Sequence, residues 1–188
     1  CEFAKFIREK HKDVILVAGG VHGSIYPKEV LQKSVIDIVV MGEGDFVLPE
    51  IVLSQDLSKV RGIGYKKDGE IKINPRQPPL ESLDILPMPA WHLFDIEKYQ
   101  MPRLITRRNP VGTIETSRGC LAGCSYCNKS IFGRKWRCKS AKRTVDEFEY
   151  MLKCGFKEIH VYDDMFTTDL DRAKEICDLI IERKLDLS

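Results

Sequence analysis

The chain has 188 residues, of which 43% are hydrophobic and 31% charged, with a formal net charge of +2 at pH 7. Those proportions describe a folded globular protein, and so nearly neutral a balance gives no sign of a nucleic-acid partner. No apolar run approaches the ~20 residues that a membrane-spanning helix needs, so no such helix is expected.

In chain order, residue 1 is Cys rather than Met and the first ten residues already carry a helical pattern, so the expectation is a piece cut at both ends. Phe3, Ala4 and Ile7 among charged residues predict an amphipathic helix that stops near His11. Residues 14–18 are continuously apolar, as a strand buried on both faces would be, and end at the loop Gly19-Gly20-Val21-His22-Gly23. Pro27 suits the first position of a short helix. Residues 36–41 form a second buried strand that ends at Gly42-Glu43-Gly44, and a helix over 45–53 follows. This alternation predicts an α/β fold with a parallel sheet, whose ligands bind at the carboxyl ends of the strands, where both glycine segments fall. A dinucleotide fingerprint is a poor match, because Val47 takes the third glycine position and Glu43 puts a carboxylate where a pyrophosphate would lie.

Residues 61–66 and 70–73 alternate about an Asp68-Gly69 turn and predict a hairpin at one edge of this sheet. Residues 74–110 hold seven of the nine prolines, which denies regular structure, yet Leu83, Ile85, Leu86, Trp91, Leu93 and Phe94 are too apolar for a solvated tether. An ordered, draped linker is expected. Residues 111–116 then form a strand, Thr144 and Glu147 read as the capping box of a helix that stops at Gly155, and residues 157–162 form another strand ending in Asp163-Asp164. A last helix covers 169–184. The order β-loop-α-β-α is the opening of a TIM-like barrel, whose active site lies at the carboxyl ends of its strands. The expected division is therefore 1–60, a linker over 61–110, and 111–188.

The loop after residue 116 carries Cys120, Cys124 and Cys127 in a CxxxCxxC spacing, with Tyr126 between the last two. A buried helical stripe of thiols is the bland alternative, but Gly119 and Gly123 would each cost about 1 kcal/mol relative to Ala inside a helix. A glycine-containing loop instead lets three thiolates converge on an iron-sulfur cube. Such clusters normally take four cysteines, so three leave one iron open to a substrate or cofactor. The seven cysteines are odd in number and unevenly placed, and a metal role for three of them needs a reducing compartment, which places the protein in the cytoplasm. Cys154 and Cys177 are expected to be core thiols and the basic run from Arg134 to Arg143 a solvated face, while Cys138 is expected to have no part in the site, a place beside the loop or its substrate being the alternative.

At this loop the chain resembles the radical S-adenosylmethionine (radical SAM) superfamily, whose signature is CxxxCxΦC with an aromatic Φ, here Tyr126. The resemblance implies a 4Fe-4S cluster on Cys120, Cys124 and Cys127, with S-adenosylmethionine on the open iron and cleaved there to a 5'-deoxyadenosyl radical. It also implies that Tyr126 lies beside the adenine and that Asp163 or Asp164 meets the methionine ammonium, an N-terminal capping role being the alternative for that pair. The pattern VAGGVH followed by VVMGEGDFVLPEIV looks like the C-terminal half of the flavodoxin-like cobalamin-binding domain attached to many of these enzymes, with Gly19, Gly20, Gly42, Glu43 and Gly44 lining the nucleotide-tail cleft. The run LESLDILPMPAWHLFD looks like the connector of the same subfamily. His22 is assigned no cobalt. The activity implied is that of a methyltransferase or oxidative cyclase acting on a small molecule, reduced by a donor such as a flavodoxin or ferredoxin. Two alternatives stay open: a radical SAM enzyme without cobalamin, and a non-catalytic cobalamin or zinc module in which Cys138 joins the three cysteines.

Overall fold

The computed structural model describes residues 2–129 and 131–187. The chain divides into two compact units, Cys1–Leu80 with Cys124–Gly133, and Glu81–Gly123 with Arg134–Ser188.

The first unit opens with helix α1 (Glu2–Lys10), strand β1 (Val17–Ala18), helices α2 (Gly20–Ile25) and α3 (Pro27–Lys33), strand β2 (Ile38–Val40) and helix α4 (Val47–Leu53). The hairpin β3 (Ile63–Lys67) and β4 (Glu70–Ile73) completes a sheet of order β1-β2-β3-β4. β1 and β2 are parallel, while β3 is antiparallel to both of its neighbours, β2 and β4. The hairpin loop is Asp68-Gly69, both at positive φ (52° and 77°), the two-residue turn whose twist suits right-twisted strands. β2 is buried on both faces. Because side chains alternate along a strand, Ile38 and Val40 join a cluster with Val47, Ile51, Ile63 and Tyr65, while Val39 joins Ala4, Leu31 and Ile36. Each such burial stabilises the fold by about 1.5–3 kcal/mol.

Two expectations for this unit need correction. The strand predicted over 14–18 is reduced to Val17–Ala18, and Val14 and Ile15 are exposed, because β1 takes only the pairs Val17↔Ile38 and Ala18↔Val39. The segment predicted as a glycine loop is instead helix α2. Gly20, at φ +83°, makes the turn into it, and a Cβ at Gly23 would meet Val39 Cγ1 at 3.0 Å, so the glycine lets the helix lie close on β2.

The second unit contains strand β5 (Val111–Ile114), a short ribbon of β6 (Ser117–Arg118) and β7 (Arg137–Cys138), helix α5 (Ala141–Cys154), strand β8 (Glu158–Val161) and helix α6 (Leu170–Glu182). β5 and β8 pair in parallel in the register Val111↔Glu158 to Ile114↔Val161, with α5 as the crossover. Ile114, Val145, Phe148, Met151, Phe156 and Ile176 form the core. The proline-rich segment is ordered as expected. Leu83 and Ile96 are buried, and the Trp91 and Phe156 rings meet edge to face with centroids 5.1 Å apart, although Ile85, Leu93 and Phe94 stay exposed.

The capping box expected at Thr144 and Glu147 is not formed. α5 begins a turn earlier, where Ser140 Oγ accepts from Arg143 N, and it ends at Gly155 in the left-handed region (φ 112°). Thr144 and Glu147 point inward instead, Thr144 Oγ1 donating to Ser140 O. Cys154 is only half-buried and Cys177 is exposed, so neither is the core thiol expected of it; the stripe that α6 buries passes through Ala173 and Ile176.

At the opposite end of the parallel pair, Glu158 is buried and its Oε2 accepts from Arg107 N and Arg108 N, both at 2.8 Å, while its Oε1 takes His160 Nε2 at 2.8 Å. The His160 contact first, and then the two backbone N–H groups, hold this carboxyl at about 2, against an ordinary 4.5. A depressed folded-state pKa means stability that is present above about pH 4.5 and is lost as the pH falls toward 2. We therefore expect the gap in urea midpoint between wild type and Glu158→Gln to be widest above that range and to close as the pH is lowered through it. A gap independent of pH between 2 and 5 would show that this carboxylate is not so held.

Candidate functional site

The two glycine segments of the first unit follow parallel strands and so lie at the same carboxyl edge of the sheet. A serine joins them. Ser24 Oγ donates to Gly20 O (2.8 Å) and accepts from Gly42 N (2.9 Å), and Arg76 donates to Ser24 O (2.6 Å). They open on different clefts, however. One, of about 320 Å³, is lined by Gly19, His22, Gly23, Glu29 and Lys33; the other, of about 340 Å³, by Gly42, Glu43, Arg76, Pro78 and Phe132. Glu43 Oε2 accepts from Leu80 N at 2.8 Å.

The strands β5 and β8 are neighbours in the second unit, and from their carboxyl ends depart the cysteine loop, of which residues up to Gly123 belong to this unit, and the aspartate pair. Asp163 closes that edge. Its Oδ1 accepts from the N–H groups of Thr116 (2.6 Å) and Ser117 (3.0 Å), and its Oδ2 from their hydroxyls (2.6 and 2.7 Å). Thr116 is fully buried. From the other side Arg172, 6% exposed, donates through Nη2 to Thr116 O and Oγ1 (3.1 and 2.9 Å) and through Nε to Lys139 O (2.7 Å). Its guanidinium also stands over the rings of Trp136 and Phe166, 5.9 and 5.8 Å from their centroids. Lys139 is buried and paired with Glu147 at 2.7 Å, which corrects the reading of the whole basic run as a solvated face. Neither Arg172 nor Ser24 is marked by any motif; a charged residue at a position that helical spacing turns inward is the available signal for the first.

Beyond Ser117 the chain is irregular. Gly119 takes φ +86°, no helix runs through 120–127, and in the second half of the motif Cys127 N donates to Cys124 O at 3.2 Å. The helical-stripe alternative is thereby excluded. Cys120 is half-buried, with Sγ 3.3 Å from Met165 Sδ and accepting from Ala122 N at 3.4 Å; Cys124 and Cys127 are exposed. All three are free thiols. Tyr126 is 90% exposed, so it does not close the loop as a core aromatic. Asp164 is exposed, whereas both oxygens of Asp163 are engaged. Among the described residues no three His, Cys, Asp or Glu side chains are gathered as a group to hold a metal. Cys138 is half-buried in β7, and burial pushes its thiol up. The donor set of the motif, three unbridged thiols on a loop with little packing of its own, fits an iron-sulfur cluster.

No protein-family profile matches the chain. It is 32% identical over 98% of its length to an uncharacterized methyltransferase of Pyrococcus horikoshii, and 32% identical over 95% to an anaerobic magnesium-protoporphyrin IX monomethyl ester cyclase of Rubrivivax gelatinosus. It spans 41% and 33% of those two proteins. Among solved structures, the cobalamin-dependent S-adenosylmethionine radical enzyme OxsB with aqua-cobalamin matches 96% of this chain at a TM-score of 0.72 and 22% identity, the chain covering 26% of it. The radical S-adenosylmethionine methyltransferase TsrM of Kitasatospora setae, with cobalamin and a 4Fe-4S cluster bound, matches 97% at 0.67 and 21%, the chain covering 37% of it. Those two likenesses are of fold. The cysteine motif of this chain stands beside them as a separate observation. The curated relatives are named as methyltransferases and cyclases, and they include a cobalamin-dependent radical SAM methyltransferase of Streptomyces tokunonensis, 25% identical over 98% of this chain, which spans 28% of it.

The buried Lys139–Glu147 pair yields a test of how the root of the loop is held. Glu147→Ala should lower the unfolding free energy by about 3–5 kcal/mol, because it strands a buried ammonium, while Lys139→Met with Glu147→Leu should come within about 2 kcal/mol of wild type. Urea denaturation checks both, and a single variant no worse than the double would contradict the pairing.

Proposed function

We propose that the protein is a cobalamin-dependent radical SAM enzyme that transfers a methyl group to, or closes a ring on, an unactivated centre of a small molecule. The observation that carries this reading is the loop of three free thiols leaving the carboxyl end of one of two adjacent parallel strands, in a chain of this fold. Residues 1–60 are read as the end of a cobalamin-binding domain, 61–110 as hairpin and linker, and 111–188 as the start of the radical SAM core. A cytoplasmic location and an electron donor such as a flavodoxin or ferredoxin go with this reading. No helix among the described residues is long and apolar enough to cross a membrane.

Cys120, Cys124 and Cys127 would hold the 4Fe-4S cluster. When bound, the cluster and S-adenosylmethionine supply one-electron cleavage of the sulfonium, and cobalamin a carrier of the methyl group. Each thiol must arrive as thiolate, and the loop's freedom lets the three close round the cluster. Tyr126, with its ring in solvent, is available to cover an adenine, and Asp164 to meet an ammonium. Asp163 serves that end of the site through its hold on Thr116 and Ser117. Gly19, Gly20, Gly42, Glu43 and Gly44 would border the corrinoid's tail, where backbone without side chains allows close approach.

The test is anaerobic reconstitution of the intact protein with iron and sulfide. We expect a broad absorption at ~400 nm, the charge-transfer band of thiolate-bound iron. Changing any of Cys120, Cys124 or Cys127 to Ala should sharply reduce the iron retained, while Cys138→Ala, Cys154→Ala and Cys177→Ala should retain it. A single colourless zinc per chain, or equal iron loss in all six variants, would overturn the assignment.

A further inference from the structure

The resemblance leaves Asp163 and Asp164 as equal candidates for a cofactor ammonium, and the hydrogen bonds separate them. A carboxylate has about four lone-pair sites, and at Asp163 four donors occupy them, two backbone N–H groups and two hydroxyls, all from Thr116 and Ser117. Those two residues are the last before Arg118-Gly119-Cys120, and both are buried. Thr116 Oγ1, having donated to Asp163, accepts from Arg172, so the carboxylate and the guanidinium grip the same residue from opposite sides. Arg172 reaches Lys139 O as well, and Lys139 N donates to Thr116 O at 2.8 Å, which ties in the strand that pairs with Ser117. In the thiol loop, by contrast, the side chains from Cys124 to Asn128 are all exposed.

We propose that Asp163 is a positioning residue. Its carboxylate, with Arg172, fixes the backbone at Thr116-Ser117 from which the cysteine loop departs, and so sets where Cys120 is presented; it does not contact the ammonium of S-adenosylmethionine. This rests on the cluster-binding reading above. The two roles differ in one chemical requirement. Binding an ammonium needs a negative charge, whereas holding two N–H groups and two hydroxyls needs only shape: the amide of Asn can accept the N–H pair at Oδ1 and donate from Nδ2 to the hydroxyls, which turn to accept.

The experiment compares Asp163→Asn, Asp163→Ala and Asp164→Asn in the intact protein by two measurements. The first is hydrogen–deuterium exchange of the peptide covering 114–119 in the cluster-free protein. The second is iron content after reconstitution, with the electron paramagnetic resonance shift of the reduced cluster on adding S-adenosylmethionine. Asp163→Ala should speed exchange about tenfold or more, since the loss of several bonds to one acceptor frees a local opening, and should lower iron content at least about twofold. Asp163→Asn should stay within about twofold of wild type in both measurements and keep the spectral shift. Asp164→Asn should keep exchange and iron but lose the shift.

An Asp163→Asn protein with normal exchange and iron that has lost the shift would overturn the proposal, because charge would then be what matters. Unchanged exchange in Asp163→Ala would overturn it as well. Should Asp163→Ala not fold, Ser117→Ala removes one of the four donors and must speed exchange of the same peptide. A wild-type protein that takes up no cluster would refute the proposed function, while the exchange measurement would still decide the clamp.

Discussion

A guanidinium cannot lose its charge at any ordinary pH, so a buried one must find acceptors or aromatic faces, and Arg172 finds both while its Nη1 stays without a hydrogen bond among the described residues. Arg172 imposes that constraint on the second unit. It sits on α6 and collects oxygen from the chain before α5 (Lys139 O), from α5 itself (Thr144 Oγ1, 3.3 Å) and from the end of β5 (Thr116). Asp163 reaches the same residue from the end of β8, accepting from Thr116 Oγ1. Both strands of the parallel pair and both helices are thus fixed to one cation at the edge where a β/α barrel places its chemistry. One ion pair, Lys139 with Glu147, is buried in the same unit. Ion pairs of this kind contribute little net stability, but removing one partner is costly, and they specify a single arrangement of the groups that meet there.

The first unit meets a lighter version of the same demand. Its two glycine segments offer backbone groups rather than side chains, and Ser24, 1% exposed, satisfies one group from each. The close approach of α2 to β2 that puts Ser24 there depends on the absence of a side chain at Gly23. Glycine in this stretch therefore has two uses: Gly20 and Gly42 make turns at positive φ, and Gly23 makes room. Arg8 pairs with Asp37, whose Oδ2 also accepts from Leu16 N, and this fixes α1 against the start of the parallel pair.

Legible in the sequence is whatever a residue's near neighbours in the chain decide. The buried strand β2, the Asp-Gly hairpin, the helix stop at Gly155 and the non-helical cysteine loop all rest on patterns of a few residues, and all are present. The failures share a different cause. The Thr144–Glu147 capping signature is locally valid, but Ser140 begins the helix a turn earlier, and both residues are then drawn into contacts with Arg172 and Lys139 that no local pattern announces. The ribbon of β6 and β7 joins residues some twenty positions apart, with neither strand long enough to show a period. Lys139 reads as part of a basic face until Glu147, two helical turns away, is seen to face it.

Alternation along a strand does foresee that Asp163 and Asp164 face opposite ways, and it cannot say which way each faces. The deciding fact is the register Ile114↔Val161, which sets the residues beyond β5 beside those beyond β8. Thr116 and Ser117 then present four donors to the position of Asp163. A loop meant to wrap a cluster gains from being undecided, since its thiols must move to their irons, but it gains nothing from an undecided root. Ordering a residue's backbone costs about 1–2 kcal/mol, so a root already fixed spares that cost when ligand is bound. Rigid polar packing up to Ser117 and free thiols beyond Gly119 is the division of labour that argument requires, and it is the one the chain has.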